Sequence, residues 1–164
     1  MREILFRGKC VATGKWYEGQ YIHLHKTTYC FAGSKQRDAD NEIHQIVFEK
    51  MTNWNLPNRH LRVDVIPETV GQYIGLRDCK RTKEYPEGQM IFEGDICRFR
   101  EWNNGDMCWV GKVHYEHQQF VISGGKNKEC DSPFTLVMSR FSSENIEVIG
   151  NIHENPDLLK GGAG

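Results

Sequence analysis

The sequence predicts an all-β protein: an N-terminal meander of short strands, a C-terminal small barrel and a closing helical turn. Three observations carry this. Short runs of β-branched and aromatic residues are punctuated by glycine and asparagine at strand-length intervals. Apolar and polar residues alternate in Leu61-Arg62-Val63-Asp64-Val65 and again around Phe134, Leu136 and Met138. Between two further runs, Asn103-Asn104-Gly105-Asp106 carries the Asn-Gly signal of a tight hairpin.

The first strands are read at Ile4-Leu5-Phe6, Trp16-Tyr17 and Tyr21-Ile22-His23-Leu24, separated by Gly8, Thr13-Gly14 and Gly19. Adjacent side chains of an extended segment point to opposite faces, so one of Trp16 and Tyr17 faces the core and the other faces water or a partner. After Thr28-Tyr29-Cys30-Phe31, residues 33–42 are polar, follow neither period and read as an exposed loop. Ile43 to Phe48 resumes as a strand or a helical turn. Residues 51–58 are irregular, and Trp54 within them reads as an indole buried to pin the loop, with a ligand-stacking platform as the other reading. Pro67 ends the strand over residues 61–65 because it cannot donate to a ladder. Thr69 and Gln72 have capping-box spacing, but Gly71 and the missing apolar stripe make this a linker or short turn.

In the second half a strand begins at Ile96 and passes through the Asn-Gly turn. Residues 109–115 return with Trp109, Val113 and Tyr115 on one face. Phe120 and Ile122 continue, then Phe134, Leu136 and Met138, then Ile146, Val148 and Ile152 around Gly150. Five short strands at these spacings fit a closed or nearly closed barrel, which hides sheet edges. Asn155-Pro156-Asp157-Leu158-Leu159 predicts a helical turn, with Asn as cap, Pro at the first helical position and Asp at the positive end. The expected organisation is a β-rich region over 1–66, a small barrel region over 67–160 and a frayed tail over 161–164.

Lys plus Arg (21) nearly balance Asp plus Glu (22), so no overall basic field draws the chain to nucleic acid or an anionic membrane. Split at Pro67, the first part has net charge +3 and the second −4, a mild asymmetry that suits head-to-tail association or a modest local patch. Six scattered cysteines without a Cys-x-x-Cys pair read as reduced cytosolic thiols. No apolar run approaches the ~20 residues a membrane helix needs, so a soluble, cytoplasmic protein with no membrane partner is expected.

Four blocks then align with a known pattern: residues 1–8 (Met1-Arg2-Glu3-Ile4-Leu5-Phe6-Arg7-Gly8), Thr69 to Asp78, Phe92-Glu93-Gly94-Asp95-Ile96, and Val148 to Pro156. In order and separation they resemble the YopX family of phage and prophage proteins, across nearly the whole chain. The resemblance implies a phage or prophage origin and a C-terminal part similar to a Src-homology-3-like barrel; it implies no activity and no catalytic residues. Gly71, Gly75, Gly94, Asp95, Gly150, Asn155 and Pro156 are the members of these blocks read as structural. One departure stands out. Relatives pass through a short Asn-Gly turn before the Glu-Gly-Asp strand, whereas this chain has the longer run Cys79 to Met90.

Glu93 and Asp95 offer paired carboxylates suited to acid/base work or a divalent cation, yet a loop joining a strand needs the same residues: Gly94 for an unusual backbone angle, Asp95 to bind turn amides. His23 and His25 share a strand face, but no third ligand is assignable, so no metal or cofactor is expected. His114 and His117 flank a strand end and are no better placed. No Gly-x-Ser-x-Gly elbow occurs, no thiol sits in a sequence context that lowers its pKa, and Ser123-Gly124-Gly125-Lys126 lacks the rest of a phosphate loop. A non-enzymatic module that binds a host or phage protein, or a second copy of itself as a homo-oligomer, is therefore the first reading, with Trp16, Tyr17 and Trp54 as contact candidates. The alternative is nucleic-acid binding through Arg77, Lys80, Arg81, Lys83, Arg98 and Arg100, with Trp102, Trp109 or Tyr115 as stacking platforms. Interspersed Glu84, Glu87, Glu93 and Glu101 favour a mixed-charge solvated face over that alternative.

Overall fold

The computed structural model describes residues 3–26, 42–100, 108–124 and 134–159. The chain divides into two compact units, residues 4–71 and residues 72–164 together with 1–3.

The first unit contains β1 (Phe6–Lys9), β2 (Trp16–His25), β3 (Glu42–Lys50) and β4 (Arg59–Asp64), antiparallel in the order β4-β3-β2-β1. The two short segments expected around Trp16 and Tyr21 are one ten-residue strand. Gly19 does not interrupt it because the backbones pack too closely there for a side chain: a Cβ would lie 2.1 Å from the Val47 carbonyl oxygen. Glu42, expected in the polar loop, instead opens β3 and pairs with His25, while the rest of that loop lies outside the described residues. Ile46 is fully buried and Val65 nearly so, whereas β4 is exposed along most of its length. Past β4 the chain turns through a 3-10 segment, Pro67–Thr69, in place of a helix. The Thr69 hydroxyl donates to Ile66 O (2.7 Å) and accepts from Lys9 N (2.9 Å), fixing the turn to β1.

The second unit begins with a short antiparallel pair, β5 (Gly71–Arg77) and β6 (Met90–Phe92). A five-stranded antiparallel sheet follows: β7 (Asp95–Arg100), β8 (Cys108–Glu116), β9 (Gln119–Gly124), β10 (Phe134–Val137) and β11 (Ile146–Asn151), ordered β10-β9-β8-β7-β11. β7 and β8 pair as the hairpin reading expects; the Asn-Gly turn itself lies outside the described residues. Among the described residues neither sheet closes into a barrel, contrary to the expected closure. β10 and β11 are the two edges of the sheet, and the chain between them passes through a 3-10 turn, Met138–Arg140, from one edge to the other without zipping them together.

Alternation buries Cys97, Phe99, Val113, Ile122 and Ile146 in one core with Ile91 and Met138. Phe99 is its centre. Phe141, Phe134 and Trp109 surround the ring at 4.7, 5.8 and 6.3 Å between centroids, the first two edge-on. The closing turn Pro156–Leu159 forms, and Asn155 Oδ1 accepts from Asn151 N (3.3 Å). Gly150 makes room for it, since a Cβ there would meet Asn155 Oδ1 at 2.6 Å and Leu158 Cδ1 at 2.9 Å.

Between β6 and β7 the chain reverses at Glu93-Gly94, where Gly94 has φ +86°, and the carboxylate of Asp95, 1% exposed, accepts the Phe92 N–H at 2.8 Å. Phe99→Ala should lower unfolding free energy by about 3–5 kcal/mol through cavity formation. Asp95→Ala should cost about 2–3 kcal/mol, because it leaves a buried amide without its charged acceptor. Urea unfolding of both variants checks these values.

Candidate interaction surface

The β3–β4 hairpin presents the largest exposed apolar groups among the described residues of the first unit. Its strands pair up to Lys50 opposite Arg59, and residues 51–58 form the tip. Trp54 is 95% exposed, Met51 77% and Leu56 58%. Sequence reasoning expected Trp54 to be buried as a pin. The loop holds itself without it: Leu56 N donates to Asn53 O (3.2 Å), and Asn55, at φ +66°, takes the left-handed position of that turn, which asparagine tolerates better than most residues. The Thr52 hydroxyl closes the loop by donating to Pro57 O (3.3 Å). Below the tip, Glu49 receives Asn58 Nδ2 on one oxygen and lies against His60 Nε2 on the other, both at 3.1 Å. Hydrogen bonds from Asn58 and then His60 hold the Glu49 carboxyl below its ordinary value.

Trp16 and Tyr17 are half-buried and each packs within the unit. The Arg7 guanidinium stacks 4.8 Å above the Trp16 ring, and Tyr17 lies 5.2 Å from Phe48. Of the three aromatic contact candidates, Trp54 alone stands fully in solvent.

The long turn over residues 79–90 is tied at its neck. Asp78, 2% exposed, exchanges backbone contact with Gln89 (Asp78 N to Gln89 O, 2.9 Å) and accepts Gln89 N on Oδ1 at 2.8 Å and Val148 N on Oδ2 at 3.3 Å. Arg77 Nη1 donates inward to Gly88 O (3.0 Å), so this cation closes its own loop. Lys80 and Arg98 meet on Glu147, at 3.2 and 3.9 Å. Arg81 and Lys83 are exposed on the turn. The basic residues are thus brought together in part, around an acidic partner. The side chain of Arg100 and all of Trp102 lie outside the described residues; Trp109 is partly buried against the core, and Tyr115 is exposed against Phe120 at 5.2 Å. Gly71 opens β5 as a buried residue, and Gly75, at φ +90°, falls where β5 and β6 shift register.

The groups considered for chemistry have these neighbours. Glu93 Oε1 accepts Tyr115 N (3.2 Å). His114 and His117 both approach Glu116, at 3.3 and 3.7 Å. Cys10 and Cys79 are free thiols and Cys97 is buried in the core, while Ser123-Gly124 ends β9 and residues 125–126 lie outside the described residues. Cys10 departs from expectation. The Thr13 hydroxyl and amide, with the Ala12 amide, push its thiol below the ordinary value against burial, in a tight turn in which Gly14 N donates to Cys10 O (2.9 Å). That turn folds amides toward sulfur in a way linear spacing does not disclose. Among the described residues, His23, Glu42 and His44 form the one group whose donor atoms lie close enough to share a metal ion, and no helix is long and apolar enough to cross a membrane.

A family model for the YopX protein matches residues 5–160. The chain belongs to the YopX family. A crystal structure of protein EF1440 from Enterococcus faecalis is similar to this YopX-family chain at 20% identity, covering 97% of this chain and 99% of its own, with a TM-score of 0.44. No curated protein matches it.

In this YopX-family chain the Glu49 support of the tip has a defined pH sense. A carboxyl whose folded value is depressed contributes fully above the ordinary value, 4.5, and loses its contribution as pH falls through the lowered one. The Asn58 side-chain amide, followed by NMR in an acid titration, should therefore shift with a midpoint below that ordinary value. Glu49→Gln should remove the transition, and a midpoint at or above 4.5 would refute the contact.

Proposed function

We propose that this chain is a phage-associated, non-enzymatic protein-interaction module of the bacterial host cytoplasm, and that the β3–β4 tip is its docking element. The observation that carries this reading is the 95% exposure of Trp54 on a loop that does not need it for its own closure. Tryptophan is the side chain most enriched among residues that dominate binding energy, and a pre-formed turn spares the ordering cost of docking. Burying one such ring removes roughly 150–250 Å² from water. At ~25 cal/mol per Å² that is a gross gain of about 4–6 kcal/mol.

Charge narrows the partner. Lys50 and Arg59 are exposed and directly opposite one another at the root of the tip, a like-charged pair that works against the hairpin. A partner protein with an apolar pocket and an acidic rim would convert that repulsion into attraction. Trp54→Ala should leave stability within about 0.5 kcal/mol, since an exposed side chain is removed. The same variant should abolish partner retention in a comparison with the unaltered chain, and retention indifferent to it would overturn the reading. Sedimentation tests self-association: a homo-oligomer that Trp54→Ala converts to monomer would identify the pocket as lying on a second copy.

Nucleic-acid binding at the 79–90 turn is the second reading. Exposed Arg81 and Lys83 favour it, beside an open hollow of about 440 Å³ that Lys80, Lys83 and Tyr85 help to line. It ranks lower because Lys80 and Arg98 already face Glu147, and exposed ion contacts contribute only ~0–1 kcal/mol each. Anisotropy titrations with labelled DNA and RNA at two salt concentrations decide it. Steeply salt-dependent binding that Arg81→Glu and Lys83→Glu weaken would establish this reading; indifference to salt would remove it.

A further inference from the structure

Three side chains from two adjacent strands converge on the surface of the first unit. His23 on β2 and His44 on β3 are direct cross-strand partners, with rings stacked 4.5 Å apart and inclined by 14°. Glu42 shares the His44 face two residues away. Its Oε2 lies 3.0 Å from His44 Nε2 and 3.6 Å from His23 Nε2, and the three donor atoms all fall within 4.8 Å of one another. A tetrahedral ion with bonds of 2.0–2.1 Å separates its ligands by roughly 3.3–3.4 Å, which the two measured separations bracket.

We propose that His23, Glu42 and His44 bind a divalent transition-metal cation of the zinc class. Two imidazoles and one carboxylate suit Zn²⁺ and its neighbours; Mg²⁺ and Ca²⁺ prefer oxygen donors alone. The site is graded from inside to outside: the side chains of His44, Glu42 and His23 are 14%, 30% and 45% exposed, so one ligand is anchored and an ion reaches the others from solution. His25, opposite Glu42 in the strand register and 5.7 Å from His23 between rings, is a source of a fourth ligand among the described residues.

The anchored ligand has an orienting partner. The Tyr21 hydroxyl lies 2.6 Å from His44 Nδ1, leaving Nε2 directed at Glu42 and the site. A hydroxyl donates or accepts, so it holds the ring in either tautomer. When Nε2 gives its lone pair to a metal, the imidazole proton sits on Nδ1 and is donated to the Tyr21 oxygen. That is the usual second hydrogen bond of a metal-bound histidine. Tyr21 is thus a positioning residue and His44 a ligand.

The test is calorimetric titration of Zn²⁺ into the untagged, chelator-treated full chain, with Co²⁺ absorption as a second readout of tetrahedral coordination. Binding of a single equivalent is expected. His23→Ala and His44→Ala should each weaken it by about tenfold or more, and Tyr21→Phe by about tenfold with stoichiometry kept. His117→Ala should change nothing, and Mg²⁺ should not compete. Should an alanine variant misfold by circular dichroism, Glu42→Gln keeps the size and hydrogen-bonding capacity of the side chain while removing its charge, and must still weaken binding. Absence of binding at millimolar Zn²⁺ and Co²⁺ overturns the proposal. So does binding that survives the folded His23→Ala/His44→Ala double variant.

Discussion

The second unit depends on one three-residue corner, Glu93-Gly94-Asp95, through which five strands are connected. The Asp95 carboxylate closes the reversal by accepting Phe92 N from β6, and Glu93 N donates to Gln72 O in β5. Gly94 donates to Val113 O in β8 and accepts Ile152 N just past β11, while Glu93 Oε1 takes Tyr115 N. A side chain at φ +86° would be strained, and an uncharged residue in place of Asp95 would leave a buried amide poorly matched. Two carboxylates that invite a catalytic reading each accept a backbone amide here.

Much of the strand content was legible in the sequence because alternation and turn chemistry act locally. Pro67 halting a strand and Pro156 opening a turn are decided within a few residues. Tertiary pairing set what local signals could not. Gly19 reads as punctuation until the Val47 carbonyl is found beside it, and Trp54 reads as a core residue until hydrogen bonds at Asn53, Thr52 and Glu49 prove sufficient to shape its loop. Closure of the C-terminal strands was over-read for the same reason. Strand count and spacing are sequence properties; whether β10 meets β11 is decided by the connection between them.

The candidate sites divide along the same line. The pair His23 and His25 was visible as alternate positions on one strand, but Glu42 and His44 become their neighbours only through the β2–β3 register. Glu42 was disguised by its polar surroundings, since a charged residue at the end of a loop and one at the start of a strand look alike. The basic run at residues 77–83 was equally visible. Its outcome turned on Gly88 and Glu147, which engage Arg77, Lys80 and Arg98 from elsewhere in the chain.

The neck at Asp78 also bears on how such a fold changes length. Both ends of the 79–90 turn are fastened to each other and to β11, through Gln89 and Val148, before the turn leaves the sheet. Beyond Cys79, whose N–H donates to Ile146 O (2.8 Å), and Lys80, which meets Glu147, the turn folds on itself through Thr82 and Tyr85, and extending a flexible loop costs only ~0.6 kcal/mol per doubling of its length. The stretch around Thr82–Tyr85 is therefore a natural site for insertions to accumulate, and a fitting place to graft a peptide tag.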